Sequence, residues 1–179
     1  MNILLIILGI ISALVVLLLI IALFIKQEYT VERTIYIDRP FQQVFDYIRY
    51  VKNQDQYSVW NKMDPAMKKT YSGTDGTVGF VYSWDSANKR AGKGEQEIKA
   101  IKDGERIDMG LHFIRPFEGR ANSYMAVNPL SGAQSKATWG IVGKMNYPMN
   151  AMLLFMNMEH IMGKDLLAGL ENLKEVLEK

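Results

Sequence analysis

Cysteine is absent from the 179 residues, so the chain has no disulfide, no thiolate metal site and no cysteine nucleophile. Histidine is nearly absent. His112 and His160 stand alone in sequence, and neither has a partner at the i, i+4 spacing of a helical zinc site. A large excess of either charge is also lacking: 21 Lys and Arg face 19 Asp and Glu, a formal net charge of +2. The bases are interspersed with acids and form no stripe, which sets nucleic-acid binding aside. Gly92-Lys93-Gly94 lacks the third glycine of a phosphate-binding loop and opens a predicted strand where that motif needs a helix. The expectation is therefore no metal and no cofactor.

What is present is concentrated at the start. Ile3 to Ile25 contains no charged residue and is almost entirely Ile, Leu, Val and Ala. At a rise of about 1.5 Å per residue this run gives roughly 34 Å of helix, enough to cross a hydrocarbon core of about 30 Å. A cleaved signal peptide would have a basic start, a shorter apolar stretch and a small-x-small exit. Here Met1 and Asn2 precede the run, and Ala22-Leu23-Phe24-Ile25-Lys26 puts bulky residues at the exit. The reading is a retained single-pass anchor over residues 1–27, carrying a domain over residues 28–179. Lys26, Arg33 and Arg39 lean that domain toward the cytoplasm, against Glu28, Glu32, Asp38 and a free amino terminus on the other side. The side is left open.

Beyond the anchor, Tyr29 to Ile37 is β-branched and aromatic and predicts a strand. Asp38 then reads as an N-cap ahead of Arg39 and Pro40, and Phe41, Val44, Phe45 and Ile48 recur at helical spacing. Lys52 to Trp60 reads as a second short helix or turn, ended by Asp64-Pro65. Six further strands follow, separated by turn chemistry: Met67 to Ser72, Val78 to Asp85, Gly92 to Ile101, Glu105 to Arg115, Gly119 to Val127 and Gln134 to Met145. Asp103-Gly104 is the strongest hairpin signal among these turns. A long amphipathic helix is predicted from Met149 almost to Lys179, with Met152, Phe155, Met156, Leu166, Leu170, Leu173 and Leu177 on one face. A sheet with one apolar face and a single long amphipathic helix must pack on each other.

That order is the order of the helix-grip fold, an α+β fold in which a seven-stranded antiparallel sheet wraps a long C-terminal helix, with two short helices after the first strand. The chain resembles the SRPBCC superfamily, which includes START lipid-transfer domains, polyketide cyclase-like proteins and birch-pollen-allergen-like proteins. Local text carries the likeness: Met67 to Gly79, Gly92-Lys93-Gly94-Glu95-Gln96-Glu97-Ile98, Thr138-Trp139-Gly140 and Met145-Asn146-Tyr147-Pro148-Met149-Asn150 are similar to bacterial polyketide cyclase/dehydrase-type members with an N-terminal membrane segment. The resemblance implies an apolar cavity between sheet and helix, open to hydrophobic small molecules or lipids. It supplies no catalytic motif, and fold does not imply function.

Taking the apolar parity of each strand as its inner face assigns Phe80, Tyr82 and Trp84, then Met109, Leu111 and Phe113, then Trp139 and Ile141 to the cavity wall. Met152, Phe155, Met156 and Glu159 face them from the helix. The same aromatic and Met positions also suit a plain core. Glu159 falls near the centre of the apolar face, so it is either a buried acid with a functional role or a residue of the cavity mouth, wet or paired with a base. Tyr82, Trp84 and Tyr124 are candidate polar handles at the rim. Three functions are consistent with this: a membrane-anchored binder or carrier of a hydrophobic molecule; a cyclase or dehydrase-like enzyme with Glu159 as acid or base; and a protein-interaction module with a filled interior.

Overall fold

The computed structural model describes residues 3–179; Met1 and Asn2, the first two residues of the expected anchor, lie outside the described residues. The apolar run forms α1 (Ile3–Ala22), a helix of 20 residues that is long and apolar enough to span a membrane. It ends three residues earlier than the apolar run does. Leu23, Phe24 and Ile25 turn back on Ile20, Ile21 and Ala22 through i, i−3 hydrogen bonds, a 3₁₀-type tightening that ends the helix.

The sheet is built from β1 (Glu28–Ile37), β2 (Lys68–Ser72), β3 (Val81–Asp85), β4 (Lys93–Lys102), β5 (Arg106–Arg115), β6 (Gly119–Pro129) and β7 (Ser135–Lys144). All neighbours are antiparallel in the order β1-β7-β6-β5-β4-β3-β2, so β1 closes onto β7 and the other six strands run as successive hairpins. The Asp103-Gly104 turn closes β4 onto β5 with Gly104 at φ 73°, a conformation glycine adopts at no steric cost. Between β1 and β2 lie α2 (Phe41–Ile48), a 3₁₀ turn (Val51–Asn53), α3 (Gln54–Tyr57) and α4 (Val59–Lys62). The last helix is α5 (Met158–Glu178).

Leu166, Leu170, Leu173 and Leu177 of α5 are buried against Val31 and Ile37 of β1, Val44, Phe45 and Ile48 of α2, and Tyr57 of α3. Truncating a side chain such as Leu170 typically costs about 2–5 kcal/mol, so this seam is where the grip of helix on sheet is strongest. The helix therefore lies over the β1 side of the sheet. Its absence over the β3 to β5 side is what leaves room for a cavity there.

Four sequence expectations are corrected. Asp38 does not cap α2: Pro40 holds that position, while the Asp38 carboxylate accepts from Gln134 and its amide donates to Glu178. Val78 is exposed and outside the sheet, because Gly76 and Gly79 both take positive φ and delay β3 to Val81. The segment Lys52 to Trp60 is broken into three short pieces. The long C-terminal helix is in two parts, a 3₁₀ segment (Met149–Leu154) and α5, separated at Phe155 to Asn157. Asn157 leaves helical geometry at ψ 91° and its side chain accepts from the His160 amide at 3.0 Å, which is an N-cap and starts a new helix.

Candidate ligand cavity

Cross-strand pairing puts one continuous row of side chains on the concave face. Trp84 pairs with Gly94, which pairs with Phe113; Tyr82 pairs with Gln96, then Leu111, Ala121, Gly143 and Tyr29. With the side-chain period of two, Ser123, Trp139 and Ile141 share that face. Opposite them stand Trp60 and Asn61 of α4, Met152 and Met156 from the 3₁₀ segment and its break, and Ile161 and Met162 of α5. Between these walls is a cavity of about 970 Å³.

Eight of the twelve sequence-assigned cavity residues line this space: Tyr82, Trp84, Leu111, Phe113, Trp139, Ile141, Met152 and Met156. Phe80 and Met109 have the inward parity but are fully packed in the core and do not line it. Phe155 is 79% exposed, because the break before α5 turns it out of the helical phase that placed it inside. Glu159 keeps the phase of Leu170, yet it lies in the first turn of α5 beyond the cavity. There its carboxylate pairs with Arg33 of β1 and its side chain is 56% exposed. With Phe155 it borders a shallow groove outside the cavity, beside Ile25 and Lys26. The enzyme reading required Glu159 inside; its acid or base is therefore missing from the cavity. Tyr124 is corrected as well. It lies on the convex face, against Gly140, hydrogen-bonded to Glu32 and with the Arg106 guanidinium 3.8 Å over its ring. Burial, and then the Glu32 carboxylate, push its phenol up to about 12.

The polar groups inside follow two patterns. The Trp139 indole donates to the Ser123 hydroxyl at 3.1 Å, which in turn reaches the Gly140 carbonyl, and the Trp84 indole donates to the Ala91 carbonyl at 2.9 Å. These N–H groups are satisfied by oxygen. Gln54, Gln96 and Tyr82, in contrast, meet methionine sulfur: the two amides reach Met109 and the phenol reaches Met67. Burial raises the Tyr82 pKa well above its ordinary value, so the phenol stays a donor at neutral pH. Periodicity alone missed Gln54, Ser123, Tyr29 and Trp60. Gln96 was missed as well, although its parity with Gly94 and Ile98, on a strand otherwise apolar on that face, marks it.

The open end of the cavity is the end where α1 enters. Register fixes this: Tyr29, at the start of β1, is level with Gly143 at the end of β7 and Ala121 at the start of β6, next to the β5–β6 turn. Phe117 in that turn is 83% exposed, and Tyr147, Met149 and Met152 on the segment after β7 are exposed beside it. Arg115, Glu118, Arg120 and Lys144 supply charge at the same rim. The exit of α1 is fastened there too. The fully buried Asn150 side chain donates to the Ala22 carbonyl at 2.7 Å and to the Ile25 carbonyl at 3.0 Å, and the Met145 amide donates to Gln27.

Asp85 braces this rim. It accepts from Lys93 at 2.9 Å and from Arg115, where the β5–β6 turn begins. The Lys93 hydrogen bond, then the Arg115 charge, hold its carboxyl below the ordinary value of 3.8. A depressed folded-state pKa stabilises fully above the unfolded value and is lost as pH falls through the folded one. Asp85→Asn is accordingly expected to lose stability at neutral pH and to converge with the unmodified chain on acidification below about pH 4, read as thermal midpoint against pH. Equal offsets at pH 7 and pH 3 would rule the brace out.

No family model matches the chain, and no curated protein matches it. Solved structures do. A protein of Nitrosospira multiformis superposes with a TM-score of 0.60 at 16% identity, covering 83% of this chain and 96% of that one. Ara h 8.0201 superposes at 0.57 with 16% identity, covering 84% and 98%. A norcoclaurine synthase point mutant of Thalictrum flavum, solved with a transition-state analogue, gives 0.62 at 8% identity over 84% and 94%. At these identities the likeness is one of architecture, and the architecture is the helix-grip fold.

Proposed function

We propose that the chain is a membrane-anchored binder and carrier of a hydrophobic small molecule or lipid. The observation that carries this is the cavity of about 970 Å³, lined mainly by aromatic, Leu, Ile and Met side chains and open at the anchor end. Its volume is at the upper end of the range for small-molecule sites of about 300–1,000 Å³. A poorly soluble ligand reaches such a mouth from the bilayer without crossing water. Phe117 and Met149 are apolar side chains exposed around the entrance, at the level where a membrane surface would stand. Retention of α1 is supported by Asn150, whose buried amide is committed to the Ala22 and Ile25 carbonyls and would lose both partners on cleavage. The SRPBCC resemblance agrees with this reading. The interaction-module reading called for a filled interior, and the cyclase-like reading called for Glu159 in the cavity, whereas Glu159 pairs with Arg33 outside it.

The test is to purify the full chain and Ala121→Trp in the same detergent, extract both with organic solvent, and compare extracts by mass spectrometry. Ala121 lines the cavity on β6, and an indole there occupies the space. One apolar species should be enriched in the unmodified chain and lost in the variant. Equal extracts would attribute the bound lipid to the anchor and end the carrier reading.

A further inference from the structure

Two buried glutamines face each other across the inner cavity from different layers of the fold. Gln54 comes from α3 and is 3% exposed; Gln96 comes from β4 and is 7% exposed. Both line the cavity, and both side-chain nitrogens are directed at one atom, the Met109 thioether sulfur, at 3.9 and 2.8 Å. A thioether is a weak acceptor, and two amides cannot both be satisfied by it. Burying amide donors without a good acceptor costs free energy, and replacing them with apolar groups of similar shape is neutral or stabilising. The fold thus maintains a pair of strong donors where an apolar core would be more stable. Tyr82, level with Gln96 on the neighbouring strand, adds a phenol donor whose partner is again a methionine sulfur. Each amide also brings a carbonyl oxygen of its own, but the N–H groups of Gln54 and Gln96 and the Tyr82 hydroxyl all have sulfur as their partner.

Charge is placed elsewhere. Of the charged residues that line the cavity, Arg115, Glu118, Arg120 and Lys144 are exposed and belong to the rim, while Arg90 and Asp165 are committed to each other, 2.9 Å apart. A carboxylate or phosphate driven down to the glutamines would be a buried ion without a counter-ion, which is strongly unfavourable. An uncharged oxygen has no such difficulty. A carbonyl oxygen carries two lone pairs and can accept from two N–H groups that converge on it.

We propose that the ligand is an uncharged, largely hydrocarbon molecule with a carbonyl oxygen, as in a ketone, ester or quinone, and that Gln96 and Gln54 bind that oxygen between them. The assignment rests on the carrier reading above and names the ligand's chemistry. In a bilayer core the same oxygen has no donor, so the amide pair favours transfer of this class out of the membrane over plain hydrocarbon.

All three tryptophans of the chain, Trp60, Trp84 and Trp139, line the cavity, so intrinsic fluorescence reports its occupancy directly. The experiment titrates the full chain in phospholipid nanodiscs with heptadecane and with the ketone bearing its carbonyl at the central carbon, at matched bilayer loading. The unmodified chain should bind the ketone about fivefold to tenfold more tightly, the worth of one to two neutral hydrogen bonds. The double variant Gln54→Met, Gln96→Met should lose that preference through weaker ketone binding, while its thermal midpoint rises and shows that it has folded. The corresponding Leu pair gives a second, independent removal of the donors. Equal affinity for both probes in the unmodified chain, or a preference that survives in both double variants, would overturn the donor assignment and leave the carrier reading standing. Failure of the unmodified chain to take up either probe would overturn both.

Discussion

Gly94→Val is expected to destabilise the chain by about 2 kcal/mol, lower its thermal midpoint by roughly 4–8 °C, and weaken binding of any cavity ligand. Gly94 sits on β4 at a register shift in the β4–β5 pairing, on the concave face opposite Phe113 and Trp84. A Cβ built there would stand 2.6 Å from the His112 carbonyl oxygen and 2.6 Å from the Trp84 indole. The carbonyl belongs to the ladder and cannot retreat without opening the sheet, so Trp84 must move. Its indole is held by a hydrogen bond to the Ala91 carbonyl and by contacts with Tyr82 and Phe113, whose ring centroids lie 5.6 and 6.2 Å away. Displacing it both breaks that bond and reshapes one wall of the cavity. Chemical denaturation and tryptophan emission measured together check this, and an unchanged emission spectrum with native stability would show that the sheet yields in place of the indole.

The architecture was legible because the two periods that specify it are long and clean in this sequence. Alternation over Arg106 to Arg115 and Ser135 to Lys144 fixed the inward parity of Leu111, Phe113, Trp139 and Ile141, and the 3.6-residue repeat of Leu166, Leu170, Leu173 and Leu177 fixed the gripping face of α5. The errors fall where a local cap overrides the repeat. Asn157 accepts the His160 amide and restarts the helix, so the phase that runs correctly back from Leu170 to Glu159 cannot be carried on to Phe155. Parity also cannot say how far along a strand the packed core ends and empty space begins. Phe80 and Met109 share their faces with Tyr82 and Leu111, yet the first two are core and the second two line the cavity, because α2, α3 and α5 cover only part of the sheet.

Glu159 illustrates the limit of reading a face from one element. Its direction on α5 was correct, but its partner comes from β1, where Arg33 interrupts the inward apolar parity of Val31 and Ile35 and packs its guanidinium against Gly163. A base on the inner face of one strand and an acid on the apolar face of the helix are two sequence anomalies that explain each other. Taken alone, Glu159 resembles a functional group. Gln96 is the opposite case: also a polar residue at inward parity, it finds no oxygen or charged partner, only sulfur. The difference between an anomaly that is neutralised and one that is not lies in long-range pairing, which no local pattern encodes.

Asn150→Leu is expected to release α1 from the cavity rim. The amide supplies both hydrogen bonds that join the segment Met149–Leu154 to the end of α1, and the Ala22 backbone it serves is itself buried. Leu keeps the branching of Asn, with bulkier methyl groups, but leaves two carbonyls without that donor, at a cost of about 1–3 kcal/mol for those that stay dry. Opening the joint to water relieves this, so the local contact gives way before the sheet does. Because the chain lacks cysteine, Leu14→Cys and Glu171→Cys introduce two unique labelling sites, one on α1 and one on the exposed face of α5. Spin-label distances between them in nanodiscs should be narrowly distributed in the unmodified joint and broad in the Asn150→Leu background. Ligand uptake from the bilayer should slow in parallel, since a mouth that swings freely spends less time against the membrane, while affinity within the cavity stays governed by its own lining. A distance distribution that remains narrow would mean that the Met145 to Gln27 hydrogen bond and apolar contact suffice to hold the joint, and that Asn150 serves the fold without orienting the cavity.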